Sequence, residues 1–491
     1  MTAVREDATA ADSVDGIRRH ADPPVHVEEG DLVRPGGMQQ GVEDPRGSPG
    51  PGGAGSRWRR DVSSPVLGAV RSTSPFRITG RIELVRGLLL EARLPGARVG
   101  EVASVAASGV QVLAEVVGFA GARVQLLPLG SASGLCEGAE VERRGDSLTI
   151  AAGAGLVGRV LDGLGRPLDG LPLPTGLSQW SVDRPCPDPF RRARVDAALP
   201  LGVRAIDALC TVGRGQRLGL FAGAGVGKST LLGQMARQTR ADVTVVALVG
   251  ERGRELREFV EDALGAEGLR RSVVVCATSD QPALVRLRAG FVATAIAEWF
   301  REQGGNVLFL LDSVTRLARA QREVGLAAGE PPARQGYPPS VFSMLPRLLE
   351  RTGNSERGYC TALYTCLVAG DDLEDPIADE VRGILDGHVV LDRRVAERGR
   401  WPAVDVLASL SRVMPQVTPE EHQGLAARFR ALLAAYEQRR DLILLGAYVP
   451  GTDPLTDEAI ARWPAMEAFL RQGRDEPVGA LLERLGEAVG G

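Results

Sequence analysis

At 491 residues and 44% hydrophobic, the chain is long enough for about three domains with full-sized cores, and its net charge of −4 sets it apart from dedicated nucleic-acid binders. Its six cysteines include no C-x-x-C pair, and with only four histidines they read as buried free thiols of a reducing compartment, not as a zinc site. No apolar run is long enough to span a bilayer, and the N-terminus carries Glu6, Asp7, Asp12 and Asp15 where a secretory signal needs an apolar core, so a cytoplasmic location is expected.

Residues 1–75 are poor in large apolar groups and rich in Gly, Pro, Asp and Arg, so they read as a disordered extension. Arg57-Trp58-Arg59-Arg60 within it reads as a solvated linker in preference to a docking peptide. From 76 to 153 the pattern changes. Short alternating runs at 77–85, 110–117 and 123–127, punctuated by glycine, predict a small β-barrel. A barrel that held single-stranded nucleic acid would need stacking rings and a basic groove. Here eight arginines balance eight acids over 77–150, and Phe119 is the one aromatic, so the barrel reads as structural and no nucleic-acid partner is expected.

Residues 154–414 alternate strand and helix. Apolar runs at 216–221, 242–249, 271–275, 306–311 and 360–368 have the length of buried strands, with helical stretches such as 254–264 and 292–303 between them. That is an α/β core with a largely parallel sheet. Directly after the first of these strands comes Ala222-Gly223-Ala224-Gly225-Val226-Gly227-Lys228-Ser229-Thr230. It differs from the phosphate-loop pattern G-x-x-x-x-G-K-[ST] by one methyl group, at Ala222, and opens a helix over 229–238 as that motif requires. Of the chain's 58 basic residues, Lys228 is the one lysine, a compact ammonium that a planar guanidinium does not replace. The loop's backbone N–H groups and the helix start are built to hold phosphate. Lys228 would reach the β- and γ-phosphates of ATP, and the Ser229 hydroxyl would ligate Mg²⁺.

Two acids follow strands of the same sheet. Leu308-Phe309-Leu310-Leu311-Asp312 is an apolar strand ending in a carboxylate, suited to the Mg²⁺ shell, although an aspartate capping the next turn is the plainer alternative. Glu251, in Gly250-Glu251-Arg252-Gly253-Arg254-Glu255, is placed to polarise an attacking water; a solvated charge cluster opening a helix fits the spacing equally well. Residues 415–491 read as helical. Thr418-Pro419-Glu420-Glu421 predicts a capping box, and Leu425, Phe429, Leu432, Leu433 and Tyr436 form one apolar stripe that reads as core packing.

The strings Gly250–Glu255, Asp312-Ser313-Val314-Thr315-Arg316, Ala320-Gln321-Arg322-Glu323, Gly329-Glu330-Pro331-Pro332, Gly336-Tyr337-Pro338-Pro339-Ser340, Gly370-Asp371-Asp372 and Ile384-Leu385-Asp386-Gly387-His388 resemble the flagellar and type III secretion export ATPases, relatives of the catalytic subunit of rotary ATP synthases. The resemblance covers roughly residues 77–472. It implies a RecA-like P-loop NTPase core with an N-terminal β-barrel and a C-terminal helical domain. It also implies an ATP-hydrolysing protein-export motor that uses Mg²⁺ and drives chaperone release and unfolding of export substrates.

By that resemblance Glu251 is the catalytic base with Arg252 beside it, Asp312 the second Mg²⁺ acid, and Arg412 an arginine finger given to the neighbouring subunit. Trp401, in Arg400-Trp401-Pro402-Ala403, stands where an aromatic ring faces adenine. Implied partners are further copies of the chain in a homohexamer, a stator-like regulator, a stalk protein, export chaperones and substrates, and an export gate at the inner membrane. The implied location is the cytoplasmic face of that membrane. Thr211-Val212-Gly213-Arg214-Gly215-Gln216 and Thr278-Ser279-Asp280-Gln281-Pro282 are similar to the flagellar branch. Leu94-Pro95-Gly96 and Pro200-Leu201-Gly202-Val203-Arg204 are similar to the injectisome branch, and the balance leans flagellar. The alternatives are a rotary synthase catalytic subunit and a hexameric RNA translocase.

Overall fold

The computed structural model describes residues 77–107, 109–368 and 374–490. The extension 1–75 and the Gly370-Asp371-Asp372 string lie outside the described residues. Six strands close a barrel in the order Thr79–Arg86, Leu89–Arg93, Arg123–Pro128, Val110–Ala120, Glu101–Ala107, Glu140–Ser147 and back to the first. Closure removes sheet edges. Alternation supplies the interior, where Ile82, Leu90, Val105, Val116, Leu126 and Val141 are buried together. The chain then leaves through Thr149–Ala152, which pairs with Ser178–Ser181 in a two-stranded ribbon.

The core sheet has eight strands among the described residues. Their order is Val404–Ser411, Gly387–Leu391, Arg217–Ala222, Tyr359–Leu367, Asn306–Asp312, Val243–Glu251, Ser272–Thr278 and Val160–Asp162. All neighbours run parallel except the Val404–Ser411 edge, which is antiparallel. Strand periodicity divides the core in two. Val243, Val245, Ala247 and Val249 face the helices Ala283–Glu302, Val314–Ala327 and Pro339–Leu349. Val246 and Leu248 belong to the opposite core with Leu231, Leu232 and Met235 of the helix Lys228–Gln238. The C-terminal helices Glu420–Leu444, Pro454–Leu470 and Leu481–Val489 add Phe429, Leu432, Leu433, Tyr436, Met466 and Leu485 to that second core. The expected stripe is therefore core, with Leu425 at its half-buried margin.

Three local features differ from the sequence reading. The helix expected at 254–264 is broken into Gly253–Glu258 and a π-helical turn, Phe259–Leu264. The wider winding turns Phe259, Ala263 and Leu264 together into the core, where the Ala263 carbonyl crosses Gly233 so closely that a Cβ there would lie 2.4 Å from it. The expected capping box does not form. Thr418 donates its hydroxyl to the Met414 carbonyl (2.7 Å), closing the short helix Met414–Val417, and Glu420 opens the next helix behind Pro419 with no side-chain cap. Strands Val160–Asp162, Gly387–Leu391 and Val404–Ser411 carry no clear signal in the sequence, being short or at an edge. No described helix is long and apolar enough to cross a membrane.

Candidate active site

The phosphate loop follows the C-terminal end of a parallel strand, Glu251 and Asp312 are the last residues of two others, and strand order brings them side by side. Arg217–Ala222 is separated from Asn306–Asp312 by one strand, and Val243–Glu251 is the next beyond. Ala222 is the last residue of its strand and has no left-handed backbone, so glycine is not required where the motif usually has it. Gly227 is different. Its φ of +79° is left-handed, and a Cβ there would come within 2.8 Å of the Trp401 ring. Gly223 and Val226 are buried, whereas Ala224, Gly225, Ser229 and Thr230 are exposed at the loop's open side.

Lys228 lies between the two acids. Its ammonium donates to Asp312 Oδ1 and stands 3.7 Å from Glu251 Oε1. Asp312 is buried, and Oδ1 also accepts from the Thr365 hydroxyl (2.7 Å), which reaches the Leu311 carbonyl as well (3.2 Å). Glu251 Oε2 is 3.0 Å from Arg316 Nη2, and Arg316 Nη1 donates to the Gly250 carbonyl, so one guanidinium orients both the side chain and the backbone. Glu251 Oε1 is buried without a hydrogen-bond partner among the described residues. Such an orphan is costly unless a bound group uses it. Burial, the nearby Asp312 charge and a hydrogen bond with Glu255 push the Glu251 carboxyl up to about 7, against the pull of Lys228 and Arg316. The same bond holds Glu255 below the usual carboxylate range.

Trp401 stands on the other side of the loop, 43% exposed. With Gly225, Gly227, Gln234, Gln472 and Arg474 it lines a cavity of about 310 Å³. An exposed indole flanked by Leu231, Leu391 and Pro402 makes an apolar slot fit for a purine face.

The structure does not bring the other two candidates into this cluster. The Arg252 side chain is 75% exposed and pairs with Glu255 (2.9 Å), one residue removed from Glu251. Arg412 is exposed just beyond the edge strand Val404–Ser411, where Nη1 donates to the Leu385 carbonyl (3.4 Å). Ser411 pairs with Gly387, whereas the phosphate-loop end of the sheet is marked by Leu391 beside Ala222. Four residues of strand, about 13 Å, separate Arg412 from that end of the sheet, on a strand two places away.

Mg²⁺ takes one or two protein oxygens and completes its shell with phosphate and water. The site matches that demand. Among the described residues no three carboxylates, thiols or imidazoles converge. An exposed Ser229 hydroxyl at the helix start and the buried Asp312 carboxylate are two protein oxygens suited to it. Thr365, Arg316 and Glu255 were not identified as site residues from sequence. Their strand and helix positions look ordinary; the packing of distant segments directs Thr365 at Asp312 and Arg316 at Glu251, while Glu255 turns back to Glu251 from four residues on.

Residues 202–411 match the ATP synthase alpha/beta family nucleotide-binding domain, residues 82–145 the beta-barrel domain of the same family, and residues 418–482 the T3SS EscN ATPase C-terminal domain. The flagellum-specific ATP synthase of Bacillus subtilis is 53% identical over 421 residues, which is 85% of this chain and 96% of the relative. The type 3 secretion system ATPase of Xanthomonas euvesicatoria is 51% identical over 399 residues, 81% of this chain and 90% of the relative. The assembled ATPase EscN in complex with its central stalk EscO, from the enteropathogenic E. coli type III secretion system, aligns with a TM-score of 0.78 at 46% identity, over 84% of this chain and 100% of that one. With barrel, core and C-terminal helices each matched, the chain belongs to the ATP synthase alpha/beta family, in the group of the flagellum-specific and type 3 secretion system export ATPases.

Proposed function

We propose that this export ATPase hydrolyses ATP at the interface between its own copies, with the phosphates held by residues 223–230 and adenine stacked on Trp401. The observation that carries the reading is the convergence of Lys228, Glu251 and Asp312 at one sheet edge, with a buried Glu251 oxygen among them that accepts no hydrogen bond from the described residues. Lys228 places the one compact ammonium where the β- and γ-phosphates arrive. Ser229 and Asp312 would hold Mg²⁺, which when bound neutralises charge on the phosphates. Glu251 takes the proton of the attacking water, and Arg316 holds it in place. Arg252 stands outside this set and contributes through Glu255.

Lys228→Ala removes the ammonium from phosphate and leaves two carboxylates facing each other. Mg-ATP affinity should fall by about 100-fold or more, two charge-assisted bonds being lost, and turnover with it. Calorimetric titration with Mg-ATP checks this; unaltered uptake would remove Lys228 from the phosphate site. The pH profile follows from Glu251. A carboxyl at about 7 is protonated below that pH and cannot accept a proton, so kcat/KM should fall as pH drops through about 7. Glu255→Ala, which removes a bond that raises Glu251, should move that limb to lower pH. A limb that stays put would dismiss Glu251 as the titrating group, and one near 4 would remove its raised value.

At the level of the cell, we place the chain in a homohexamer with a central stalk and a stator-like regulator, at the cytoplasmic face of the inner membrane below an export gate. There it releases export substrates from chaperones and unfolds them. The flagellar branch is favoured by the Thr211–Gln216 and Thr278–Pro282 strings. Co-purification from the native cell decides: flagellar basal components support this assignment, and injectisome components replace it.

A further inference from the structure

Gln472 follows the helix Pro454–Leu470 and is buried. Its side-chain amide is engaged at both ends. Oε1 accepts from the Arg204 backbone N–H (2.7 Å), and Nε2 donates to the carbonyls of Gly202 (3.0 Å) and Glu476 (2.8 Å). One donor N–H on the oxygen side and two carbonyls on the nitrogen side leave a single orientation for the amide. The Gln472 backbone N–H donates to the Trp401 carbonyl (2.9 Å).

The Gly202 carbonyl is shared. It also accepts from Nε2 of Gln234 (3.1 Å), on the helix that starts at Lys228. Gly202 has a φ of +78°, and a Cβ there would lie 2.1 Å from the Gln238 amide oxygen, so no other residue presents this carbonyl to both glutamines. The turn is held by Asp207, whose buried carboxylate accepts from the N–H groups of Leu201 (2.8 Å) and Gly202 (2.9 Å). Arg204 adds a parallel bridge, donating from Nη2 to the Arg471 carbonyl (2.6 Å) and to the Glu476 carboxylate (2.9 Å). Gln234, Trp401 and Gln472 all line the cavity beside the phosphate loop. The segment that follows the helix Pro454–Leu470 is thus bonded to the aromatic wall of that cavity and, through one carbonyl, to the phosphate-loop helix.

We propose that Gln472 is a positioning residue: it sets the Trp401 wall of the nucleotide pocket and ties the C-terminal helical domain to the phosphate-loop helix through the Gly202 carbonyl. A nucleotide that tightens the cavity then orders segment 471–489, and by linkage a well-docked segment tightens nucleotide binding to the same degree. The proposal rests on the cavity being the base pocket. It assigns the coupling to one residue, whose backbone N–H holds the Trp401 carbonyl and whose side-chain amide holds the Gly202 carbonyl.

Gln472→Met keeps side-chain length and removes the three amide bonds. The Michaelis constant for ATP should rise about tenfold, the scale of one to two net hydrogen bonds, while kcat falls less than threefold. Hydrogen exchange gives the second reading. In the wild-type chain, Mg-ADP should slow exchange across 471–489; in Gln472→Met that gain should vanish, and in Gln234→Met, which cuts the other arm, it should shrink. The wild-type exchange needs no substitution, so a poorly folding variant does not remove the test. ADP uptake with no change in exchange at 471–489 overturns the proposal alone, as does a Gln472→Met chain with an unchanged Michaelis constant and a lowered melting temperature. A wild-type chain that takes up no Mg-ADP overturns the pocket reading as well.

Discussion

Arg412→Ala should bind Mg-ATP with wild-type affinity and hydrolyse it about 10³–10⁵-fold more slowly, the range an arginine supplied across an interface contributes. The geometry gives the reason for intact binding. Arg412 follows the far end of an edge strand, about 13 Å of strand away from the phosphate-loop end of its own sheet, which is longer than its side chain. It is exposed, and its guanidinium holds on through a long hydrogen bond to the Leu385 carbonyl (3.4 Å), so its release costs little. A finger that serves a neighbour makes a sharper prediction. Lys228→Ala and Arg412→Ala are each silent alone. Mixed in equal amounts, they should recover about a quarter of the wild-type rate, because one interface in four then joins an intact pocket to Arg412 of the partner subunit. Rings that form from the mixture and stay silent, or an Arg412→Ala chain at full rate, would remove the assignment.

Glu251→Gln should retain nucleotide and lose about 10²–10⁴-fold in turnover, the usual contribution of a general base. Glutamine preserves the shape and the contact with Arg316, so the change isolates proton acceptance. Binding is spared because Lys228 and residues 223–230 hold the phosphates independently of Glu251. If anything, removal of the negative charge 3.7 Å from Lys228 leaves that ammonium freer to meet phosphate. Single-turnover measurement separates the steps: ATP should remain uncleaved on the protein. Cleavage at the wild-type rate would pass the base role to another group.

Much of the site was legible because its signals are local. A strand, a glycine loop and Lys228 at a helix start occupy 14 consecutive positions, from Arg217 to Thr230. Asp312 was readable as the end of an apolar run, and Glu251 as a carboxylate after another. Spacing left Glu251 equally open to a solvated charge cluster; the structure puts it against Lys228 and Arg316 instead. Arg252, its sequence neighbour, went the other way, because adjacent residues at a strand end point to opposite sides and Arg252 caps the next helix in solvent. The Thr418 capping box failed for a comparable reason: a hydroxyl that can reach the Met414 carbonyl has two local partners, and the preceding turn won.

Periodicity and short motifs were enough to establish a barrel, a parallel α/β core, a helical end and a phosphate loop, since each depends on residues within a turn or a strand of one another. Strand order was not written in any segment. It brings Lys228 to Asp312 across 84 positions, Thr365 to Asp312 across 53, and Gln472 to Gly202 across 270. It also sends Arg412 to the end of the sheet opposite the loop. Contacts of that span arise from how whole layers pack, so they appear only when the chain is folded.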